Sequence, residues 1–185
     1  LYAHYIRNSD FVDAGSSGDN LVLCAPDKGA TPFVQQVWDT LGLQKCRKLV
    51  FDKVRSGERE VRMKVSRMSD CALEDIEGKD VIMLDDMVRT GTTIVGCSQM
   101  LRQGNPRRVC FCVTHFHPSH EARENLNVPA IDEILTTSTI PAILNRDSQG
   151  RLRRKLAVLK LGKWVAGHVL RMFELDGGRF ETDLY

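Results

Sequence analysis

The chain has 185 residues, a formal net charge of +2 and 42% hydrophobic residues. That length carries one domain with a substantial core, and so small a charge removes the electrostatic case for nucleic-acid or membrane-surface binding. No run of about 18 apolar residues is present, so no transmembrane helix is expected, and no signal-peptide pattern is visible at the start.

Residues 1–8 read as the last turns of a helix, ending a preceding domain or leading into this one over 1–12, and 13–19 as a loop. The chain begins at Leu1 and not Met, which reads as a processed product or an excised fragment. A compact apolar strand follows at 20–25 and runs into a loop, 26–30, that carries an acid, a base and a glycine (Asp27, Lys28, Gly29). Thr31 and Pro32 suit a helix start, Thr as N-cap and Pro at the first position. Phe33, Val34, Val37, Trp38 and Leu41 then form an apolar face, and Gly42 a stop.

A third apolar run at 48–51 is followed by 52–64, dense in charge with one glycine. This stretch reads either as a solvated hairpin or mobile loop, or as a cationic lid that closes over phosphates. Strand 81–84 and helix 92–103 come next, then strand 108–113 and a Thr-His-Phe-His-Pro-Ser-His segment at 114–120. Ser119 suits the cap of a short helix to about Leu126. Residues 130–135 read as a strand, 145–154 as a polar loop, 156–159 as a last strand and 164–173 as a last helix. Strands alternating with helices predict an α/β fold with a mainly parallel sheet flanked by helices, in a single domain over 1–185. In such sheets ligands gather at the carboxyl ends of strands, near a topological switch point.

The six cysteines are scattered and form no C-x-x-C pair. Cys24, Cys110 and Cys112 lie in apolar runs, where a free thiol acts as a small hydrophobe. A reducing, cytoplasmic setting fits this usage better than a disulfide framework.

The stretch with the most chemistry is 80–93. Val81, Ile82, Met83 and Leu84 make a buried-strand run, Asp85 and Asp86 follow at once, and Thr90, Gly91, Thr92 and Thr93 lead into a helical pattern. A Gly/Thr loop at a helix start offers backbone N–H groups and hydroxyls to an anion, and the helix dipole favours it there. Gly91 lets the backbone come close to a ligand. Two carboxylates at a strand end suit ribose hydroxyls or a hard cation such as Mg²⁺. Together they describe a site for a sugar phosphate. The plainer reading is a strand–turn–helix with solvated acids and a threonine cap, and the full ordered stretch favours the site.

Residues 80–94 resemble the phosphoribosyl-diphosphate (PRPP) motif shared by type I phosphoribosyltransferases and ribose-phosphate diphosphokinases. The surrounding segments are similar to the second family, over nearly the whole chain and corresponding to its C-terminal half. These are the apolar run with Pro26, Asp27, Lys28, Gly29 and Ala30; Lys53-Val54-Arg55; Thr114-His115; and Thr139-Ile140-Pro141. The resemblance implies a type I phosphoribosyltransferase-like fold and Mg²⁺-dependent diphosphoryl transfer from ATP to ribose 5-phosphate. It implies that Asp27 serves the metal–diphosphate site with the backbone of Lys28, Gly29 and Ala30. Lys53 and Arg55 would stabilise the transferred group. Asp85 and Asp86 would bind ribose, with Asp85 also at the metal, and Thr90, Gly91, Thr92 and Thr93 the 5-phosphate. It also implies a homo-oligomer and an N-terminal half that supplies most of the ATP pocket.

Arg89 departs from the motif, which carries an acidic or small residue there; a cation at 89 can pair with a phosphate or disturb ribose and metal binding. Two rival functions stay open: a phosphoribosyltransferase that consumes PRPP, and a non-catalytic relative that binds sugar phosphate and regulates an active partner. His115, His117 and His120 offer a zinc reading, weakened by the lack of an adjacent fourth ligand.

Overall fold

The computed structural model describes residues 1–13, 15–56 and 60–175, with the side chains of 54–62 outside the description. Its strands are β1 (Leu21–Ala25), β2 (Arg47–Ser56), β3 (Glu60–Val65), β4 (Asp80–Val88), β5 (Arg108–Phe116), β6 (Glu133–Thr137) and β7 (Leu156–Leu159). Its helices are α1 (Tyr2–Arg7), α2 (Thr31–Leu41), α3 (Thr92–Gln103), α4 (His120–Leu126), α5 (Arg146–Gln149) and α6 (Leu161–Met172). The strands form one sheet in the order β3-β2-β1-β4-β5-β6-β7, parallel throughout except for the antiparallel pair β2/β3. From β1 the chain moves outward to β2 and β3, then returns to pair β4 on the other side of β1. The order therefore reverses between β1 and β4, where a crevice opens beyond their carboxyl ends.

Both faces of this sheet are covered, which is why its central strands are apolar without alternation. Val22, Cys24, Val81, Met83 and Phe111 pack on one face with Ile94, Cys97 and Leu101 of α3 and Leu126 of α4. Leu21, Leu23, Ile82, Leu84, Cys110 and Cys112 pack on the other with Ile6 of α1 and Val34, Val37 and Leu41 of α2, where Trp164 of α6 adds a partly buried ring. Gly42 ends α2 in the left-handed conformation, φ 59°. No helix among the described residues is long and apolar enough to cross a membrane.

Several boundaries differ from the sequence expectation. The charged stretch 52–64 continues β2 and turns back as β3, with Phe51 opposite Val65 and Ser56 opposite Glu60. Backbone pairing holds this ribbon; residues 57–59 lie outside the described residues. β4 and β5 likewise run on through polar positions, because they pair with each other as far as Val88 and Phe116. The strand expected at 130–135 begins at Glu133. The polar stretch 145–154 is not an open loop: Asn145 caps α5, and Gly150–Arg154 forms a 3₁₀ turn pinned by fully buried Leu152. Thr31 is not the cap of α2; the chain enters that helix directly from a 3₁₀ turn at Lys28–Ala30, whose own cap is Asp27.

The amino end of β4 is clamped by charge. Asp80 is fully buried and accepts from Arg107 Nε at 2.9 Å, Arg107 Nη2 at 2.6 Å and Arg108 Nη2 at 2.9 Å. Arg108 also reaches Asp10 and Glu133, both at 3.0 Å, and stacks over the Phe11 ring at 3.9 Å. One guanidinium thus ties the lead-in segment, β4, β5 and β6 together. Asp80→Ala is expected to lower unfolding stability by about 3 kcal/mol, the low end for breaking a buried pair, because Asp10 and Glu133 still accept from Arg108. Urea unfolding measures it, and a loss below about 1 kcal/mol would refute the clamp's role.

Candidate functional site

A cleft of about 430 Å³ opens at the switch point and is lined by Asp27, Gly29 and Ala30 after β1 and by Asp85, Asp86 and residues 87–94 at the end of β4. Strand pairing brings these two segments together: Leu21 through Cys24 pair with Asp80 through Met83 in register, so the loop that follows Ala25 lies beside Asp85 and Asp86, while β4 itself runs on to Val88.

The phosphate-loop candidate is shaped by contacts from distant residues. Gly91 is the N-cap of α3 in the left-handed conformation, φ 78°, which favours glycine. A Cβ there would also meet Leu126 Cγ at 2.8 Å. Ser119 Oγ donates to the Arg89 carbonyl at 3.1 Å, and Asn125 Nδ2 to the Thr90 carbonyl at 2.8 Å. No side chain caps α3; Thr90 Oγ1 and Thr92 Oγ1 lie 3.3 Å from each other instead. The threonine-cap reading therefore fails, and the first-turn N–H groups keep no side-chain acceptor. Thr92 is exposed and Thr93 half-buried. The Arg89 side chain is exposed at the same cleft.

The acids differ in environment. Asp85 is half-buried, and its Oδ1 accepts the Asp86 N–H at 2.9 Å. Burial pushes its carboxyl up to about 6, and the neighbouring Asp86 and Asp27 carboxylates add to the effect. In Asp27 burial also acts upward, yet the Lys53 ammonium and the Ala30 and Gly29 N–H groups outweigh it and hold the carboxyl below its ordinary range. Asp27 Oδ1 accepts from Gly29 N at 2.9 Å and Ala30 N at 3.3 Å, while Oδ2 meets Lys53 Nζ at 2.9 Å. Beside this pair, Lys28 Nζ lies 3.5 Å from Asp52 Oδ1. Two ion pairs therefore join the 26–30 loop to the root of the β2/β3 ribbon. The Arg55 backbone pairs with Val61 there; its side chain is outside the description. Beneath the loop, the buried Cys97 thiol donates to the Pro26 carbonyl at 3.2 Å.

Thr114-His115 and Thr139 also meet. His115 Nδ1 lies 3.0 Å from Thr139 Oγ1, which donates to the Thr114 carbonyl at 2.7 Å. This network ties the end of β5 to the segment after β6. Among the described residues no three or more His, Cys, Asp or Glu side chains gather to hold a metal ion, so the zinc reading of His115, His117 and His120 gains no support. Sequence reasoning missed Asn125 as a loop anchor. Nothing local marks it, since its partner is 35 residues away.

Asp85 carries a stability consequence with a definite sign. Its folded-state pKa lies above the unfolded one, so the chain is penalised for the ionised form above about pH 6 and not below about pH 4. In EDTA, Asp85→Asn is expected to raise Tm at pH 8, with a gain that shrinks through pH 6 and is gone near pH 4. Thermal unfolding at the three pH values measures it, and a pH-independent difference would refute the desolvation argument.

Comparison with known proteins agrees with this geometry. Residues 3–142 match the family described as phosphoribosyl transferase domain. The ribose-phosphate pyrophosphokinase of Corynebacterium glutamicum is 29% identical over 166 residues, covering 90% of this chain and 47% of that protein. That of Thermococcus kodakarensis is 35% identical over 131 residues, covering 71% of this chain and 43% of that protein. A crystal structure of phosphoribosylpyrophosphate synthetase from Mycobacterium smegmatis matches with a TM-score of 0.68 at 26% identity, over 94% of this chain and 50% of that one. The chain thus spans about half the length of the curated relatives it matches. With its relatives named as ribose-phosphate pyrophosphokinases and its parallel sheet carrying the motif at the switch point, the chain belongs to the phosphoribosyl transferase domain family.

Proposed function

We propose that this chain forms the ribose 5-phosphate and diphosphate side of a ribose-phosphate diphosphokinase, as the C-terminal half of such an enzyme. The observation that carries the reading is the meeting, in one cleft, of the uncapped 90–93 loop, the Asp85–Asp86 pair and Asp27, whose carboxylate is bonded to Lys53 at the cleft's flank. The reaction moves a diphosphoryl group from ATP to O1 of ribose 5-phosphate: the O1–phosphorus bond forms as the bond to the leaving AMP breaks.

The 90–93 loop holds the 5-phosphate through first-turn N–H groups and the Thr90 and Thr92 hydroxyls, strengthened by the helix dipole. Arg89 adds a cation at the rim. Asp85 and Asp86 accept from the ribose hydroxyls and so orient O1. Lys53, with Arg55, neutralises the migrating charge. For this, Lys53 must leave Asp27 and take up the diphosphoryl oxygens, which frees the Asp27 carboxylate in the same movement.

The residues fit Mg²⁺ as a shared ligand. The carboxylates are hard oxygen donors, Asp85 is desolvated and gains from a nearby cation, and no complete protein cage exists among the described residues. That matches an ion held by one or two carboxylates plus substrate phosphates. When bound, Mg²⁺ would be held by Asp27 and Asp85 and would neutralise phosphate charge there. The six cysteines are all free and buried, which supports a reducing, cytoplasmic setting.

Calorimetric titration with ribose 5-phosphate, with and without Mg²⁺, tests the seat. Saturable binding is expected, weakened by about tenfold or more in a Thr90→Ala/Thr92→Ala variant, because two hydrogen bonds to a charged group are lost. The absence of binding by both ribose 5-phosphate and PRPP would overturn the reading. Lys53→Ala is expected to reduce PRPP formation about 100-fold while changing ribose 5-phosphate affinity little; unchanged turnover removes Lys53 from the chemistry. Arg89 in the cleft favours a second reading, a non-catalytic sugar-phosphate binder, identified by saturable binding without turnover in the presence of ATP and Mg²⁺.

A further inference from the structure

A second cavity lies at the opposite end of the sheet, before β6 and β7 rather than after β1 and β4. It encloses about 530 Å³ and is lined by Val128, Pro129, Ile131, Arg151, Arg154 and Lys155, with Asn127 at its edge. The lining holds three cations and no acid. The nearby carboxylate of Asp132 is already engaged, by the Arg102 guanidinium and by the Val109 N–H at 2.6 Å.

The cations are held apart by the fold. Leu152 is fully buried and fixes the 3₁₀ turn at Gly150–Arg154, with exposed Arg151, Arg153 and Arg154 around it. Arg123 of α4 donates to the Asp147 and Ser148 carbonyls at 3.1 and 3.3 Å, which pins the segment just before the turn. Lys155 Nζ donates to the Val128 and Ile131 carbonyls at 2.8 and 2.9 Å, so two of its three N–H donors are used and the third remains. Arg102, Arg107 and Arg108 all have carboxylate partners. Among the described residues the Arg151 and Arg154 side chains make no hydrogen bond or ion pair.

We propose that this cavity is a second anion site, for a phosphorylated small molecule whose apolar body rests on Val128, Pro129 and Ile131 while its phosphate is held by Arg151, Arg154 and Lys155. Guanidinium groups match phosphate oxygens in a bidentate manner, and the cavity lies within the size range of small-molecule sites. Neutralisation of clustered like charges makes binding favourable without any rearrangement of the turn. The site is independent of the switch-point cleft, because it is built from segments at the amino ends of other strands.

The test is NMR and calorimetric titration of the chain in EDTA and about 0.15 M salt, where the Debye length is about 8 Å and exposed charges are screened. The probes are inorganic phosphate, inorganic pyrophosphate, AMP and a poly-glutamate peptide. Saturable binding of AMP is expected, with shifts confined to 127–131 and 150–155. Affinity should fall about tenfold or more in Arg151→Gln/Arg154→Gln and stay unchanged in Thr90→Ala/Thr92→Ala. Pyrophosphate saturating as tightly as AMP would keep the site and assign it to the free anion. Both arginines are exposed, so the variant is expected to keep its Tm, which is checked alongside. The proposal is overturned if no phosphate probe saturates, if the cleft variant loses binding instead, or if only the acidic peptide saturates, which would make this face a protein-docking surface.

Discussion

The parallel pairing of β1 with β4 is the constraint on which the rest of the structure depends. Register between Leu21 and Asp80, carried to Cys24 and Met83, sets the loop after β1 beside the acids of β4. Because β2 lies on the other flank of β1, helices must cross on both faces, and a crevice is left where the two directions part. The buried Asp80 clamp secures this pairing at the amino ends, far from the cleft. Stability and chemistry therefore sit at opposite ends of the same strands.

At the carboxyl ends the electrostatics are left unfinished. Asp85 is desolvated beside the Asp86 and Asp27 carboxylates, whereas Asp27 is satisfied by Lys53 and two N–H groups. A ligand that brings a cation relieves the first and competes for the second. The contrast is local in origin: Asp27 caps its own turn and accepts two N–H groups and an ammonium, whereas Asp85 sits within β4 and accepts only the Asp86 N–H among the described residues. Such unbalanced charge is tolerated because the surrounding core is large and covered on both faces. The same principle applies at the other end of the sheet, where buried Leu152 pins a turn whose Arg151 and Arg154 make no ion pair among the described residues.

The loop at 90–93 shows how distant packing completes a local motif. Its glycine is required twice, by a positive φ and by the approach of Leu126. Its carbonyls are held by Ser119 and Asn125, both from the segment after β5. The Thr90 and Thr92 hydroxyls are left facing each other rather than capping the helix.

Much of the fold was legible in residue pattern. Apolar runs marked the central strands, Gly42 the end of α2, Ser119 the cap of α4, and the order strand–acids–Gly/Thr loop–helix marked the cleft. What the pattern missed has a common cause. The extension of β2 and β4 through charged residues, and of β5 through Thr114 and His115, follows from backbone pairing, which is indifferent to side-chain polarity. The organised 145–154 segment depends on one buried leucine and on Arg123 reaching across from another element. The diversion of Asp27 to its own turn and to Lys53 depends on a strand 26 residues away. The sequence by itself determined which segments would be strands and helices and which residues could meet an anion or a cation, because periodicity and residue chemistry are local. Only the tertiary structure decided which of those residues face one another, which acid is desolvated and which cation stays unpaired, because burial and charge pairing are set by neighbours distant in the chain.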